Sequence, residues 1–471
     1  MQKKTKIVAT ISNLNCSVPF IKRLYDAGVN VVRLNTAHMT HDDALEVISN
    51  TRAVSSKIGL LLDTKGPEIR TCDMAESLNV KVDDIIRFKG APDEDSHDDV
   101  ICVNYDKFVE DIPVGSSIMI DDGLVGLTVT AKDDSYLSCI VQNDGVIKKH
   151  KSINIPSVHV KLPALSEKDK GFIRFAAENN LDFIAHSFVR NKEDVLAVSE
   201  ILGEMNSPIK IIAKIENSQG VENIDEILDH AYGIMVARGD LAVEVPTEKI
   251  PLIQKRIIET CVERRSPVIV ATQMLHTMIE SPRPTRAEVS DVANACLDHA
   301  DALMLSGETA NGKYPEEAVR TMAKVIKEVE EQKRNPLDVA YSHENRIAAY
   351  LAKAAVKASM RLETQAIVAD SQTGNSILEL AAYRGCNIIY GQVYDEQVMR
   401  RLSLSYGVYA ETISREESSA EPLRKSICRL LDEKQFKDDD LIIVLAGSFG
   451  ASHGPSYIEI STASNLKEKL M

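Results

Sequence analysis

The chain has 471 residues, a length that suggests two to four domains. Apolar residues make up 44% of it, and the 70 acidic residues outnumber the 55 basic ones, which gives a formal net charge of −15. An acidic chain of this kind repels nucleic-acid phosphates and anionic membranes, so neither is an expected partner. The eight cysteines form no C-x-x-C pair, and no signal-peptide core or bilayer-length apolar run is present. We expect reduced thiols and a cytoplasmic location.

Short apolar runs alternate with amphipathic stretches through the first and middle parts of the chain. The runs are Thr5–Ile11, Asn30–Asn35, Ile58–Asp63, Asp182–Phe188, Ile209–Ile215, Gly233–Ala237, Pro267–Thr272 and Ala302–Leu305. Their richness in Ile and Val indicates strands buried on both faces. Strand–helix alternation predicts parallel β-structure, and eight repeats predict a closed (β/α)₈ TIM barrel.

Two regions depart from this alternation. From about residue 71 to 157, alternating segments are separated by polar turns, which predicts antiparallel hairpins and a small β-domain inserted between barrel strands three and four. After the barrel, a long helical pattern and five further strands predict a separate C-terminal α/β domain. The predicted division is therefore 1–70 and 158–337 for the barrel, 71–157 for the inserted lid, and 338–471 for the C-terminal domain.

Polar side chains follow most of the predicted barrel strands. Active sites of such barrels lie at the carboxyl ends of the strands, so these side chains are candidate site residues. They are Arg33, Asn35, Asp63, Thr64, Ser187, Lys214, Glu216, Gly239, Asp240, Thr272 and Glu308. So many charged groups at one rim are hard to explain as strand caps alone.

Lys214 and Glu216 alternate with apolar neighbours and should point the same way from one strand. They could form a structural ion pair, or they could be an active-site lysine beside a metal-binding carboxylate. Glu216 and Asp240 come from adjacent strands and could share one ion. Mg²⁺ often takes only one or two protein carboxylates and leaves its other positions to water and substrate.

The remaining polar groups suit anions and a monovalent cation. Gly239 and Asp240 open a turn whose backbone N–H groups could face a carboxylate or a phosphate, although a simple turn glycine gives the same pattern. Arg33 and Arg70 suit phosphoryl oxygens, although either could instead form a surface ion pair. The sequence contains no G-x-x-x-x-G-K-[ST] loop and no HExxH pattern.

Six sequence blocks resemble the pyruvate kinase family, and the resemblance covers essentially the whole chain. The blocks are residues 5–11 (TKIVATI), 61–71 (LLDTKGPEIRT), 211–217 (IIAKIEN), 234–241 (IMVARGDL), 282–288 (PRPTRAE) and 304–310 (MLSGETA). The resemblance implies the same barrel, inserted small β-barrel lid and C-terminal α/β domain. It also implies Mg²⁺-dependent, K⁺-stimulated phosphoryl transfer from phosphoenolpyruvate to ADP, giving pyruvate and ATP in glycolysis.

The resemblance assigns the reaction to a few rim residues. Lys214 would stabilise the phosphoryl group in transfer, while Glu216 and Asp240 would bind Mg²⁺. Gly239, Asp240 and Thr272 would hold the carboxylate end of phosphoenolpyruvate. Arg33 would bind the phosphate of the same substrate.

A second set of implied roles concerns K⁺ and the nucleotide. Asn35, Asp63 and Thr64 would bind K⁺, although the residues alone are equally consistent with a hydrogen-bonded cap. The nucleotide would face four residues, with Asp122 of the lid nearby: Asn35, His38, Arg70 and Lys151. Glu68 occupies the position that in this family accompanies K⁺ dependence.

The chain departs from the family pattern at several positions. Ala37 stands where the family usually has a serine that contributes to the K⁺ site, so one ligand is missing. In the C-terminal domain the loop 371–376 resembles a phosphate-binding effector loop for a sugar phosphate, with Ser371, Thr373, Gly374 and Ser376 as candidate ligands. Asn375 replaces the usual basic residue there, and an ordinary helix cap would give the same pattern. The family resemblance also implies a homotetramer.

Two other interpretations remain open from the sequence. The first is a Mg²⁺-dependent lyase or aldolase of the phosphoenolpyruvate and pyruvate type, which would share the two acidic residues but would need neither the lid nor Arg70 and Lys151. The second is a catalytically weak relative kept for regulation. The presence of Lys214, Arg33 and Thr272 argues against the second.

Overall fold

The structure is a computed structural model. It describes residues 2–156, 158, 160–332, 335–340, 345–413, 421–434, 436–447 and 454–470. Ser157, the predicted last residue of the inserted domain, lies outside the described residues. No helix within these ranges is both long and apolar enough to cross a bilayer.

Eight parallel strands form a closed barrel, as the sequence predicts. Strands and helices are numbered in chain order, and the barrel strands are β1 Lys6–Thr10, β2 Val31–Asn35, β3 Gly59–Asp63, β13 Phe183–His186, β14 Lys210–Ile215, β15 Gly233–Ala237, β16 Val268–Ala271 and β17 Ala302–Leu305. Alternate residues explain the apolar runs. Val8, Leu61 and Ile212 pack inside the barrel, while their neighbours Ile7 and Leu60 pack against the surrounding helices.

Helices surround the barrel. They are α1 Val18–Ala27, α2 His41–Val54, α4 Glu167–Glu178, α5 Lys192–Glu204, α6 Ser218–Glu222, α7 Ile224–Leu228, α8 Arg238–Glu244, α9 Ile250–Glu263, α10 Arg286–Leu297, α11 Gly307–Ala310 and α12 Pro315–Glu330. The start of α2 shows how the local sequence fixes a boundary. Thr40 accepts a hydrogen bond from the backbone of Asp43, and the Asp43 side chain accepts one from the backbone of Thr40.

The inserted domain is a nearly closed β-barrel. Its strands are β4 Ile69–Arg70, β5 Leu78–Val80, β6 Ile85–Gly90, β7 Val100–Val103, β8 Ser117–Ile120, β9 Val125–Lys132, β10 Leu137–Val141, β11 Gly145–Ile147 and β12 Ser152–Asn154, with one short helix, α3 Phe108–Asp111. Seven of the strands form one sheet, in the order β4-β12-β8-β9-β10-β6-β7. A bridge between Thr71 and Val103 brings the two edges of that sheet together.

One turn in this domain interrupts a segment that the sequence pattern presents as continuous. The segment 117–130 contains two antiparallel strands, β8 and β9. The chain reverses at Asp121, Asp122 and Gly123, which have φ values of 56°, 55° and 85°. Aspartate and glycine tolerate this left-handed conformation better than other residues, so the Asp-Asp-Gly sequence was the available signal for a turn.

The C-terminal domain is a five-stranded sheet in the order β20-β19-β18-β21-β22. Its strands are β18 Ala366–Ser371, β19 Ile388–Val393, β20 Val408–Thr412, β21 Leu441–Ala446 and β22 Tyr457–Thr462, and its helices are α13 Arg346–Arg361, α14 Asn375–Ala382, α15 Glu396–Arg401, α16 Glu421–Glu433 and α17 Ala463–Leu470. All pairs are parallel except β21 with β22. This arrangement confirms the predicted α/β class.

Buried ion pairs join the C-terminal domain to the amino-terminal ends of the barrel strands. Asp301, just before β17, binds Arg384 at 2.6 Å, and both side chains are less than 5% exposed. The same carboxylate accepts the backbone N–H of Tyr406 at 2.9 Å. Asp182, just before β13, binds Arg400 of α15 at 2.7 Å. Buried ion pairs therefore attach the C-terminal domain to the end of the barrel opposite the candidate site.

We expect Asp301→Asn to destabilise the protein, because it leaves the buried Arg384 guanidinium without a countercharge. The expected loss is about 3–5 kcal/mol in the unfolding transition that reports on the barrel, measured by urea denaturation. Asp26→Asn is the matched control, since Asp26 pairs with Lys22 at the surface, where both side chains are more than half exposed. Equal shifts for the two variants would contradict this account of the interface.

Candidate active site

Lys214 lies at the centre of a buried cluster at the carboxyl ends of β3, β13 and β14. Its ammonium nitrogen is 3.1 Å from Asp63 Oδ1, 2.9 Å from Glu216 Oε1 and 2.7 Å from the Ser187 hydroxyl. Burial alone would lower the pKa of Lys214, but the carboxylates of Asp63 and Glu216 outweigh it and raise the pKa above its ordinary value. Lys214 is therefore a fixed positive charge with access to the rim.

Arg33 of β2 places a second cation against the same aspartate. Its Nε is 2.6 Å from Asp63 Oδ2, and its Nη1 donates to the Thr10 hydroxyl at 2.9 Å. Although burial raises the pKa of Asp63, the charges of Arg33 and Lys214 lower it below its ordinary value overall. Asp63 is thus a carboxylate that holds two cations side by side, at a spacing that suits an incoming anion.

Glu216 and Asp240 bring two carboxyl groups together next to Lys214. The Phe188 backbone N–H donates to Glu216 Oε2 at 2.6 Å. Burial raises the pKa of Glu216 to about 7. Burial also raises the pKa of Asp240, and the acidic groups of Asp122 and Glu68 raise it further. Burial therefore disfavours ionisation of both groups, and a divalent cation between them would favour it.

The donor set fits Mg²⁺ better than a structural metal. Among the described residues, no group of three or more His, Cys, Asp or Glu side chains is arranged to hold a metal ion. Two carboxylates, of which Asp240 lines a cleft, leave coordination positions for water and substrate, which is the usual situation of catalytic Mg²⁺.

Thr272, at the end of β16, has a strained backbone. Its φ of +67° is rare for a β-branched residue. Three contacts hold it there: its hydroxyl donates to the Ala271 carbonyl at 2.7 Å, the Gly239 N–H donates to that hydroxyl at 2.8 Å, and Arg238 donates to the Thr272 carbonyl at 2.8 Å. Such outliers occur at sites where position matters. The Gly239 N–H is consequently engaged with Thr272, whereas the sequence suggested that it could face an anion.

The candidate K⁺ ligands lie on neighbouring strands. Asn35 and Asp63 are directly opposite in the pairing of β2 with β3. The Asn35 amide oxygen accepts from the Ala37 backbone N–H at 3.2 Å, as a capping residue does. The Thr64 hydroxyl accepts from the Ser187 backbone N–H at 3.0 Å. The three residues therefore lie close together at the rim. The hydrogen bonds that Asn35 and Thr64 accept from backbone N–H groups are those of capping residues.

Besides Asn35, three residues predicted to face the nucleotide make their contacts outside the Lys214 cluster. Arg70 pairs with Glu68 at 2.7 Å, and Lys151 pairs with Asp121 at 2.9 Å. His38 is exposed in the short 3₁₀ turn after β2. No hydrogen bond or ion pair links these three side chains to Lys214 in the part of the chain that the structure describes.

A cleft of about 120 Å³ separates the lid from the barrel rim near these residues. Its walls include Glu68, Asp122 and Asn154 from the lid side and Asp240 and Glu244 from the barrel. Burial raises the pKa of Glu244, and Asn154 on the lid side lowers it in part, so the two side chains lie near each other. The lid therefore approaches the barrel beside Asp240.

The candidate effector residues occupy a different part of the molecule, the turn between β18 and α14. The Ser371 hydroxyl accepts from the Gly374 N–H at 3.0 Å, and the Thr373 hydroxyl accepts from the Asn375 N–H at 3.4 Å. Gly374 has a φ of +85°, and the Ser376 side chain is buried. The hydroxyl groups of Ser371 and Thr373 therefore already bind backbone N–H groups in the turn that leads into α14.

Ser187 and Thr10 position the cations of the cluster, a role that the sequence did not reveal. Ser187 stands at a strand end in the sequence, but its contact with Lys214 depends on β13 and β14 being neighbours. Its hydroxyl also donates to the Thr64 carbonyl at 2.6 Å. Thr10, the partner of Arg33, ends the first strand and gave no signal beyond that position.

Comparisons with family models, with curated proteins and with solved structures all point to the same family. Residues 2–319 match the model of the pyruvate kinase barrel domain, and residues 350–460 match that of the pyruvate kinase alpha/beta domain. The chain is 46% identical over 468 residues to a pyruvate kinase of Borreliella burgdorferi, covering 98% of both chains. It is 41% identical to a pyruvate kinase of Bacillus licheniformis, covering 99% of this chain and 82% of the relative. The crystal structure of a pyruvate kinase from Cryptosporidium parvum superposes with a TM-score of 0.91 at 33% identity, covering 98% of this chain and 96% of that one.

We expect the stability of the metal-free protein to fall as the pH rises toward 7 because of Glu216. Its pKa is about 7 in the folded state against an ordinary 4.5, so the folded state binds the proton more tightly than the unfolded state. The stabilisation is complete below the unfolded value and is lost as the pH rises through the folded one, at about 1.4 kcal/mol per pKa unit.

Urea denaturation between pH 5 and 8 measures this slope, and Glu216→Gln should flatten it. Mg²⁺ added at pH 8 should restore stability to the unsubstituted protein, because it replaces the proton as the positive partner of Glu216. Parallel pH profiles for the two proteins would contradict the assignment.

Proposed function

This chain belongs to the pyruvate kinase family, and we propose that the Lys214 cluster is the place where it carries out the reaction of that family. The protein is a phosphotransferase of glycolysis that transfers the phosphoryl group of phosphoenolpyruvate to ADP. The family assignment removes the lyase and aldolase alternative. The observation that supports the location most strongly is the convergence of two buried cations and two paired carboxyl groups at one barrel rim.

Lys214 is the proposed stabiliser of the phosphoryl group in transfer. Phosphoryl transfer asks the protein mainly for positioning and for neutralisation of spreading negative charge. A lysine that is already charged and fixed by Asp63, Glu216 and Ser187 needs no reorganisation when that charge develops. Arg33 is the proposed ligand of the substrate phosphate. It binds the same Asp63 carboxylate as Lys214, and its Nη2 is not used in the contacts with Asp63 and Thr10.

Glu216 and Asp240 are the proposed ligands of Mg²⁺, and members of this family typically depend on Mg²⁺ and K⁺. Bound Mg²⁺ neutralises substrate oxygens and orients them for transfer. The raised pKa of both acidic groups supports the assignment, because burial disfavours their charged forms and a bound cation would favour them. Glu216 would also keep Lys214 in place, and Asp240 lines the cleft beside it.

Asn35, Asp63 and Thr64 are the proposed K⁺ ligands. Asn35 and Asp63 are directly opposite in the pairing of β2 with β3, Thr64 follows Asp63, and Glu68 matches the family position that accompanies K⁺ dependence. Ala37, in the turn after β2, supplies no oxygen where the family usually has a serine. We therefore infer K⁺ binding with one protein ligand fewer than usual.

Thr272, Gly239 and Asp240 are the proposed binding residues for the carboxylate end of phosphoenolpyruvate. The enol formed by transfer must gain a proton at carbon, and a threonine hydroxyl is too weak an acid to supply it alone. Thr272 is proposed to relay a proton through water. Its hydroxyl donates to the Ala271 carbonyl at 2.7 Å and accepts from the Gly239 N–H at 2.8 Å, so the relay requires the O–H to turn from that carbonyl toward water.

The nucleotide is proposed to lie between the lid and the rim, facing Asn35, His38, Arg70 and Lys151. Closure of the lid would exclude the water that could otherwise accept the phosphoryl group. The cleft between the lid and the barrel, lined by Asp122 and Asp240, supports this location of the nucleotide. A sugar phosphate at Ser371, Thr373, Gly374 and Ser376, and assembly as a homotetramer, are further proposals that rest on the family resemblance.

We expect Lys214→Met to lower kcat for pyruvate formation by about 10³-fold, because it removes a preorganised charge from the transition state. Lys210→Met is the matched control: Lys210 begins the same strand at its opposite end, and its loss should leave kcat within a factor of about two, as expected for a side chain remote from the reaction. The assay is pyruvate formation from phosphoenolpyruvate and ADP with Mg²⁺. A Lys214→Met enzyme with near-normal kcat would contradict the proposed location.

We expect turnover to rise when K⁺ replaces Na⁺ at matched ionic strength. Ala37→Ser should lower the K⁺ concentration for half-maximal activity by about tenfold, since one added oxygen ligand contributes roughly 1.4 kcal/mol. Ala37→Val, which adds bulk without an oxygen, is the control and should not improve K⁺ affinity. Indifference to K⁺ in all three proteins would rule out the proposed monovalent site.

A further inference from the structure

A cavity of about 410 Å³ lies at the end of the barrel opposite the Lys214 cluster. Its walls come from the amino-terminal segment, the turn between α1 and β2, helix α12, and strands β19 and β20 of the C-terminal sheet. The cavity is therefore formed by the barrel and the C-terminal domain together. The reaction proposed above uses none of its residues.

Two buried lysines line this cavity and lack a carboxylate partner. Lys3 and Lys6 are only 4% and 1% exposed. In the described ranges of the chain, neither forms an ion pair with an acidic side chain. Burial lowers the pKa of Lys3 to about 7 and that of Lys6 well below its ordinary value. A buried ammonium group without a countercharge is costly, and an anion in the cavity would remove that cost.

The contacts that these lysines do make are weak substitutes for an anion. Lys3 donates to the Thr5 carbonyl at 3.2 Å and to the Asn30 side chain. Lys6 donates to the Val408 carbonyl at 2.5 Å, and its nitrogen lies 3.8 Å from the centre of the Tyr409 ring. Neutral oxygens and an aromatic face hold the two amino groups in position, and the nearby Glu330 carboxylate favours their charged form without outweighing burial.

The surroundings of the cavity are also positive, although the chain as a whole is acidic. Three more lysines line it, Lys57, Lys327 and Lys434. Its acidic lining residues are already engaged: Asp26 pairs with a lysine of its own helix at 2.5 Å, and Glu411 pairs with Lys57 at 2.5 Å. The excess positive charge favours entry of an anion.

One further polar group in the cavity has no partner. The Ser403 hydroxyl is buried, lines the cavity and makes no hydrogen bond to any described residue. A buried hydroxyl of this kind normally has a partner, so a ligand oxygen would complete it. The wall beside Lys3 leaves no room for another side chain, because a Cβ on Gly28, at φ +124°, would lie 3.2 Å from Lys3 Cε.

We propose that this cavity binds a small phosphate monoester. Two buried amino groups, each of which would take up its proton beside a bound anion, match the two negative charges of a phosphate better than the single charge of one carboxylate, and the Ser403 hydroxyl adds a donor. A cavity of about 410 Å³ is larger than inorganic phosphate requires, so the ester group has space against the rings of Tyr390 and Tyr409. The ligand would contact both the barrel and the C-terminal domain.

Isothermal titration of the full-length protein with glycerol 3-phosphate tests the proposal, and inorganic phosphate is the second probe. Lys6→Met should weaken binding of the monoester by about tenfold or more, the effect expected from losing one charge-assisted hydrogen bond. Lys4→Met is the matched control, because Lys4 is equally buried but donates to the carbonyls of Glu330 and Cys386 outside this cavity. It should leave the affinity unchanged.

A second variant with changes only at exposed cavity residues keeps the test valid if Lys6→Met fails to fold. Lys327→Gln combined with Lys434→Gln changes two exposed side chains and should also weaken binding. Binding of the monoester that depends on the cavity lysines supports the proposal, and equal binding of inorganic phosphate would show that the phosphate alone is recognised. Absence of binding, or binding that none of the cavity variants alters, would overturn it, since the anion would then occupy another site such as the catalytic rim.

Discussion

The charge of Lys214 is the constraint on which the candidate site depends. A lysine at the inner rim of a barrel would lose its proton to burial, but Asp63 and Glu216 keep it charged. The same two carboxylates organise the neighbouring groups, because Asp63 also binds Arg33 and Glu216 lies against Asp240. One lysine therefore links the two parts of the site, a cationic side for the phosphoryl group and an acidic side for a divalent ion.

The barrel makes this arrangement possible because parallel strands end at one rim. Lys214 and Asp63 are 151 residues apart along the chain, yet their strands are separated only by β13. The opposite rim has a different role, since Asp301 and Asp182 bind arginines of the C-terminal domain there. The protein thus uses buried charge for chemistry at one end and for assembly of its domains at the other, where the lysine-lined cavity also lies.

The sequence predicted the features that depend on local pattern. Eight apolar runs gave all eight barrel strands, and the alternation of strand and helix gave the parallel order. Features that depend on the third dimension were not accessible: the hydroxyl of Ser187 between Thr64 and Lys214, the strained φ of Thr272, and the engagement of the Gly239 N–H. Arg384 and Lys6 likewise gave no sequence signal, because an arginine or a lysine is ordinarily exposed and only the domain interface buries these two.

Direct titration of the Lys214 ammonium group tests the central claim. Nitrogen-15 labelling of lysine side chains, with Lys214→Met to assign the resonance, follows that proton by NMR as the pH rises. We predict that Lys214 in the ligand-free protein keeps its proton beyond pH 10.5, the ordinary lysine value, because Asp63 and Glu216 outweigh burial. Loss of the proton below that pH would show that burial dominates and that the cluster does not supply a fixed positive charge.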